Sequence, residues 1–520
     1  MTLRIALAQV TIAEGLDANT RKIADFVARA ANEGARVVVF PEGALTGPQG
    51  ASGDSIEAVR GAAAAAGVYV LLGLRQRRTP AEPPHERLLV IDPDGGILLA
   101  YDKMWADPRF DSLPACFSID GTICNAVICA DRWIRAVEEL PVIEGSRIIF
   151  ECSNNGADEW IPDLGWYWYV PRALRNNVFV VFCNSANGHG HSAAIAPDGR
   201  MLAALGTEPD ALLLADLDLA EATATEAHRR HGHPLLAPFW KAGITRGRGS
   251  SSPNVRFEPP STPARTLHVA AAQLPPGSGV ASLEGIIARS AGLDLLALPA
   301  LSIDADEMPE IARAAREAEL MVVVGARVRT PAGRLRSAAF VVDRTGAVAT
   351  RYDQLVTDEE GPFEAGTSTA TMWFDLDGVP GIVTIGRDAL WNELAELAAL
   401  RGAQLHVHLA EDGGWAPLVR RQLHANLASF YTLTVIASAK GDTAIWQDFR
   451  PGTNHRRRHG DHDRFCAVPL VEALPGQDLV VATQAVPSVN LHYRAMTERT
   501  ATCMRPWYDL GAAVIASGAA

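Results

Sequence analysis

Residues 125–133 read NAVICADRW, and the rest of the chain is understood from this stretch. Ala126, Val127 and Ile128 lead into Cys129, and Asp131 follows two places on. The run predicts a buried strand that ends in a thiol, and open α/β sheets place their chemistry at the C-terminal edges of their strands. Two other stretches have the same form. Residues 37–42, VVVFPE, predict an apolar strand that ends in Glu42; residues 98–103, LLAYDK, predict one that ends in Lys103. Strand ends carrying a carboxylate, an ammonium and a thiol supply a nucleophile with a base and a cation beside it.

The chain has 520 residues, which predicts more than one domain. Its 48% hydrophobic and 21% charged residues are ordinary for a soluble globular protein. The formal net charge of −13 argues against a nucleic-acid partner, which usually meets a basic face. Seven cysteines at irregular spacing, with no CxxC pair, predict reduced thiols in the cytoplasm rather than a disulfide framework or a zinc site. No apolar run is long enough to span a membrane, and the first residues predict a strand instead of a signal segment.

Around the Cys129 strand the pattern alternates strands and helices: strands at 3–10, 36–41 and 68–73, helices at 18–34 and 55–67, and a hairpin over 88–101 turning at Pro93-Asp94-Gly95-Gly96. After Cys129 come a helix from about Trp133 to Glu144, a strand at 147–152, a helix at 169–176, a strand at 178–183, a hairpin over 193–204 and a strand at 211–217. Residues 265–520 then run through the same order. Residues 266–273 answer 3–9, residues 295–299 answer 37–41, Tyr352-Asp353 answers Tyr101-Asp102, and residues 382–388 answer 126–131. The offset stays nearly constant, 264 residues from Gln9 to Gln273 and 257 from Asp131 to Asp388. Two copies of one α/β domain are expected, at 1–245 and 265–520. The Arg-, Gly-, Ser- and Pro-rich stretch 246–264 is expected to be a linker. The stretch 450–464, with Arg456-Arg457-Arg458 and three histidines, reads as a solvated loop.

The segments Phe40-Pro41-Glu42-Gly43, Tyr101-Asp102-Lys103 and Ile128-Cys129-Ala130-Asp131-Arg132 together resemble the three motifs of the nitrilase superfamily of carbon–nitrogen hydrolases, in that family's order and with spacings of 61 and 26 residues. The resemblance spans residues 1 to about 240 and, more weakly, 265–520. It implies a four-layer α-β-β-α sandwich, present twice and paired within the chain as a pseudo-dimer, with further homo-oligomers open. It also implies a cofactor-free and metal-free active site, with Cys129 as nucleophile, Glu42 as general base and Lys103 on the oxyanion. The expected activity is hydrolysis of a small linear amide or carbamoyl compound through a cysteine thioester. Acyl transfer or amide synthesis from the same thioester, nitrile hydrolysis and non-catalytic binding of a small molecule are the alternatives.

Asp131, Trp133, Asn154 and Trp160 are the expected substrate-binding residues, although Asp131 also suits a purely structural role in the turn after the thiol. Trp160, Trp166, Tyr167, Trp168 and Tyr169 form an aromatic cluster that suits either a core or the wall of an acyl pocket. Asp107 and Asp111 stand where the family often has a second carboxylate. The Pro-Glu pair that often follows the family's cysteine is missing, and acids come later at Glu138-Glu139. In the second copy Ala300 stands for Glu42, Gln354 for Lys103 and Gly386 for Cys129, so that copy is expected to be catalytically inert.

Overall fold

The computed structural model describes all residues except 78, 80, 106–115, 157–159, 163, 248–263, 276–277, 359, 412–413, 431, 440, 448–468, 487–504 and 518–520. Most of the expected linker, all of the 450–464 stretch, Asp107 and Asp111 lie outside the described residues. The chain divides into two compact units. The first comprises Met1–Gly232, Trp240–Ser252 and Arg499–Arg505; the second comprises His233–Phe239, Pro253–Glu498 and Pro506–Ala520.

The first half of the chain forms β1 (Thr2–Gln9), α1 (Leu16–Asn32), β2 (Val37–Val39), α2 (Gly53–Ala66), β3 (Tyr69–Gln76), β4 (His85–Ile91), β5 (Ile97–Asp102), β6 (Phe117–Ile119), β7 (Thr122–Ile128), α3 (Arg135–Ile143), β8 (Ile148–Ser153), α4 (Val170–Asn176), β9 (Phe179–Asn184), β10 (Ala193–Ile195), β11 (Met201–Ala204), β12 (Ala211–Asp218), α5 (Thr225–Gly232) and α6 (Ala237–Gly247). Two six-stranded mixed sheets result, ordered β12-β1-β2-β3-β4-β5 and β11-β10-β9-β8-β7-β6. The three parallel strands at the centre of each are near-continuous apolar runs. Val37, Val38 and Val39 are wholly buried, as a strand covered on both faces requires.

Helices α1 and α2 pack on the first sheet through Phe26, Val27, Val59 and Ala63 against Val38, Val70 and Leu72. The apolar stripe of α1 at Ile23, Phe26, Val27 and Ala30 has the spacing of one helical face. α2 opens on a Ser52–Ser55 capping box and stops at Gly67 in the left-handed region. α3 packs on β7 and α4 on β9, while the two sheets meet through β1 on β9 and β4 on β7. The first unit is therefore layered helix, sheet, sheet, helix, and the C-terminal ends of β2 and β7 carry Glu42 and Cys129 a few residues on.

The second half forms β13 (Arg265–Ala272), α7 (Val280–Arg289), β14 (Leu295–Ala297), β15 (Ile303–Asp304), α8 (Met308–Glu317), β16 (Met321–Arg329), β17 (Leu335–Val342), β18 (Val348–Asp353), β19 (Trp373–Leu376), β20 (Val379–Ile385), α9 (Glu393–Arg401), β21 (Leu405–Ala410), α10 (Pro417–Leu427), β22 (Leu433–Ser438), β23 (Ala444–Gln447), β24 (Val471–Glu472), β25 (Leu479–Val486) and α11 (Arg505–Ser517). Its sheets run β18-β17-β16-β14-β13-β25 and β19-β20-β21-β22-β23-β24. This is the strand order of the first unit over again, with the short β15 added beside β16. The register repeats too: Ile5 and Val37 pair in β1–β2 as Val269 and Leu295 do in β13–β14.

The tail residues Trp240 and Trp507 have different surroundings. Trp240 lies 4.2 Å from the His231 ring, whereas Trp507 stacks on Phe239 at 4.4 Å. Among the described residues no helix is long and apolar enough to cross a membrane. Cys116, Cys124, Cys152 and Cys183 are free thiols.

Candidate active site

Glu42 sits just beyond β2, where its loop lies flat on β3. A Cβ at Gly73 would fall 2.2 Å from the Pro41 carbonyl oxygen and 2.7 Å from the Glu42 Cα, so only glycine lets the loop approach this closely. Glu42 is 6% exposed. Lys103 follows β5, and its Nζ donates to Glu42 Oε1. Burial works against the Lys103 ammonium, but the charges of Cys129, Glu42 and Asp131 outweigh it and hold its pKa above the ordinary lysine value. The carboxylate and the ammonium are thus in contact, and the ammonium lies within the field of the thiol.

Cys129 follows β7 directly and opens a short 3-10 turn, Cys129–Trp133, which displaces the helix expected from Trp133 to Arg135. Its φ of +45° is left-handed, a conformation that costs a side-chain-bearing residue about 1–2 kcal/mol. Strain of this kind persists where the surroundings over-determine it. Asp131 supplies that restraint. It is wholly buried, and it accepts bonds from the Tyr101 hydroxyl, from Met104 N at 3.1 Å and from Trp105 N at 2.6 Å. These donors flank Lys103, so one carboxylate ties the end of β5 to the turn of Cys129. Burial pushes the Asp131 carboxyl up to about 6, against the pull of Lys103 and these donors. Asp131, expected either at the substrate or in a structural role, is turned to these donors, and no part of it faces solvent.

The thiol donates to Asn155 Oδ1 at 3.2 Å, and Arg132 Nη1 lies 3.9 Å from Sγ. Asn155 is held in turn by Arg132, by Tyr169 Oη at 3.0 Å and by Asn184 Oδ1 at 2.8 Å. Asn154, expected at the substrate, is exposed and accepts from the Ser185 hydroxyl instead. Successive residues at the end of a strand face opposite ways, so a shift of one position exchanges an outward amide for the inward one. Arg132 continues into a buried chain of ion pairs. Glu151 bridges Arg132 and Arg172, Glu138 bridges Arg172 and Arg175, and Glu139 takes Arg135 and Arg230. Glu138 and Glu139 therefore anchor four of the arginines of this chain of ion pairs. Removing one member of such a chain typically costs about 3–5 kcal/mol.

The aromatic cluster divides. Tyr167 and Tyr169 are buried, and Tyr169 stacks on Phe182 at 4.0 Å. Trp133 meets Trp168 edge-on at 4.5 Å, and Trp160 stacks on His191 at 3.6 Å with Trp166 at its edge. His189 lies 5.4 Å from Trp160, and burial with the neighbouring His191 and Arg132 pushes its pKa down to about 3, so it is neutral. Asn155, Arg132 and His189 went unremarked in the sequence. Arg132 lies inside the quoted motif, but nothing in its spacing distinguishes it from an exposed arginine. Among the described residues no group of three or more His, Cys, Asp or Glu is placed to hold a metal ion.

The second unit keeps the frame of this site and replaces its reactive groups. Asp388 accepts from Tyr352 Oη at 2.8 Å and from Leu355 N and Val356 N, as Asp131 does from Tyr101, Met104 and Trp105. Gly325 lies against Pro299 and Ala300 as Gly73 lies against Pro41 and Glu42. Gly386 takes the left-handed position of Cys129, with φ +51°. A Cβ there would fall 2.5 Å from Glu411 Oε2 and 2.9 Å from Gln354 Nε2. The Glu411 carboxyl, which accepts from Ser337 Oγ at 2.9 Å, fills the space where a thiol would project.

The sequence model of the carbon–nitrogen hydrolase family matches residues 4–227, within the first unit. The 2-oxoglutaramate amidase of Bacillus subtilis is 27% identical over 252 residues, covering 42% of this chain and 93% of that protein. The omega-amidase of Homo sapiens is 24% identical over 258 residues, covering 42% of this chain and 89% of that protein. Among solved structures, a cysteine-to-alanine mutant of an amidase from Nesterenkonia AN1, of the nitrilase superfamily, aligns with a TM-score of 0.39 at 22% identity. It covers 44% of this chain and 94% of that one.

Proposed function

We propose, from the carbon–nitrogen hydrolase domain at residues 4–227, that this chain hydrolyses the C–N bond of a small linear amide. The observation that carries this reading is the meeting of Glu42 and Lys103 in the field of Cys129. Cys129 attacks the amide carbonyl, and its proton passes to Glu42. Lys103 and the backbone N–H after Cys129 stabilise the oxyanion; losing one such donor typically costs on the order of 10²–10³ in rate. Glu42 returns the proton to the leaving nitrogen, which departs as ammonia or an amine. Water, deprotonated by Glu42, attacks the thioester, the carboxylic acid leaves, and the thiol regains its proton. The need for a reduced thiol suits the cytoplasm. In the second unit no nucleophile, base or cation stands at these positions, and that unit is inert.

The names of the relatives point to monoamides of dicarboxylic or 2-oxo dicarboxylic acids as the first compounds to try. The test is ammonia release across a panel of such amides, alkyl amides, carbamoyl compounds and nitriles, with Cys129→Ala as control. Intact-mass measurement after rapid quenching should show an acyl adduct on the wild type alone. Absence of turnover and of adduct across the panel would sink the reading; an acyl product formed only with an added amine would convert it to acyl transfer.

A further inference from the structure

A carboxyl that the sequence did not single out lies beside the reacting groups. Glu86, on β4, has its backbone oxygen bonded to Lys103 N at 2.9 Å, so it is fixed to the residue that carries the ammonium. Its Oε1 pairs with Arg75 Nε at 2.9 Å, on the neighbouring strand β3. Its Oε2 is buried without a hydrogen-bond partner among the described residues, and lies 3.5 Å from where a Cβ at Gly43 would stand, next to Glu42. An unpartnered buried carboxylate oxygen is costly, so such a group favours its neutral form.

We propose that Glu86 is a positioning residue that forms a carboxyl pair with Glu42 and sets the proton affinity of that base. The proposal rests on the amidase reading above. The charged groups facing Glu86 are Glu42 from the loop after β2, Arg75 from β3 and Lys103 from the end of β5. His85 and Arg87 alternate to the other face of β4, where they bond to Asp102. Burial, and then the charge of Glu42, push the Glu86 carboxyl up to about 7, against Arg75 and Lys103. Below that pH Glu86 is neutral. Above it Glu86 ionises, the two charges repel, and Glu42 takes a proton from Cys129 more readily. The counterpart in the second unit, where no base is needed, is Ser337.

The experiment is the rate of Cys129 alkylation by iodoacetamide from pH 5.5 to 8.5, followed by mass spectrometry on the full chain. It needs no knowledge of the substrate. Wild type should show an inflection near pH 7 that Glu86→Gln lacks and Glu86→Asp retains, with Glu86→Gln reacting about 3- to 10-fold more slowly at pH 8. An unchanged inflection in Glu86→Gln would overturn the proposal, as would an equal loss in Glu86→Asp and Glu86→Gln. Amide turnover, measured separately, reports on the amidase reading: an enzyme without turnover but with the shifted alkylation profile would break that reading and leave the carboxyl pair standing.

Discussion

The site around Cys129 and the corresponding place around Gly386 share a frame and differ in everything reactive. Both have a tyrosine and two backbone amides closing on a buried aspartate, and both have a left-handed residue after the strand. In the first unit that residue is a strained cysteine; in the second it is a glycine, which adopts the same φ at little cost. Glu42, Lys103 and Glu86 give way to Ala300, Gln354 and Ser337, and Glu411 occupies the space of the thiol. The frame serves the sandwich itself, because it joins the end of one sheet to the end of the other, and the reactive groups are separable from it.

The comparison is broken most directly by making the first site resemble the second. Cys129→Gly should lower amide turnover by on the order of 10⁴–10⁶. Lys103→Gln should lower it by on the order of 10²–10³ with the fold intact, measured as kcat with circular dichroism as the control. The reverse exchange is sharper as a test of the plug. Gly386→Cys should destabilise the protein by about 1–3 kcal/mol in urea unfolding, because the new side chain is left-handed and meets Glu411. Glu411→Ala in the same chain should recover part of that loss. An undiminished stability for Gly386→Cys would mean that the carboxyl swings aside freely.

The shared clamp supplies a matched pair. Tyr101→Phe and Tyr352→Phe should each cost about 1–3 kcal/mol, since each leaves a buried carboxylate short of a donor. Only Tyr101→Phe should reduce turnover, because only there does the clamp hold a lysine beside a thiol. Equal activity for the two variants would count against a positioning role for Asp131. The smallest effect expected is between two inactive variants: Cys129→Gly should be more stable than Cys129→Ala by about 0.5–1 kcal/mol, the relief of the left-handed strain less the added freedom of glycine when unfolded.

Much of this was legible in the residues. Strands buried on both faces announce themselves as short apolar runs, so β1, β2, β8 and β9 lie within a residue or two of their expected bounds, and β7 begins earlier, at Thr122. The repeated order of motifs predicted a repeated strand order. Less was legible where the signal is weak. β6 is three residues long, and α5 carries three histidines and arginines in its last turn with little apolar period. Composition cannot say which of the adjacent amides Asn154 and Asn155 turns inward. Asp131 is open between two roles in the sequence, and its burial with three donors is a property of the fold alone.

By itself the chain determined which residues end the strands, because apolar length and the turn residues after it are local properties. It determined as well that Ala300, Gln354 and Gly386 stand at the positions that answer Glu42, Lys103 and Cys129. Only the tertiary structure decided that Arg132 and Asn155 flank the thiol, that Glu86 is buried close to the loop that carries Glu42, and that the Glu411 carboxyl lies against Gly386. Those contacts join strands whose facing side chains are set by sheet register and by the stacking of two sheets, which one-dimensional spacing does not encode.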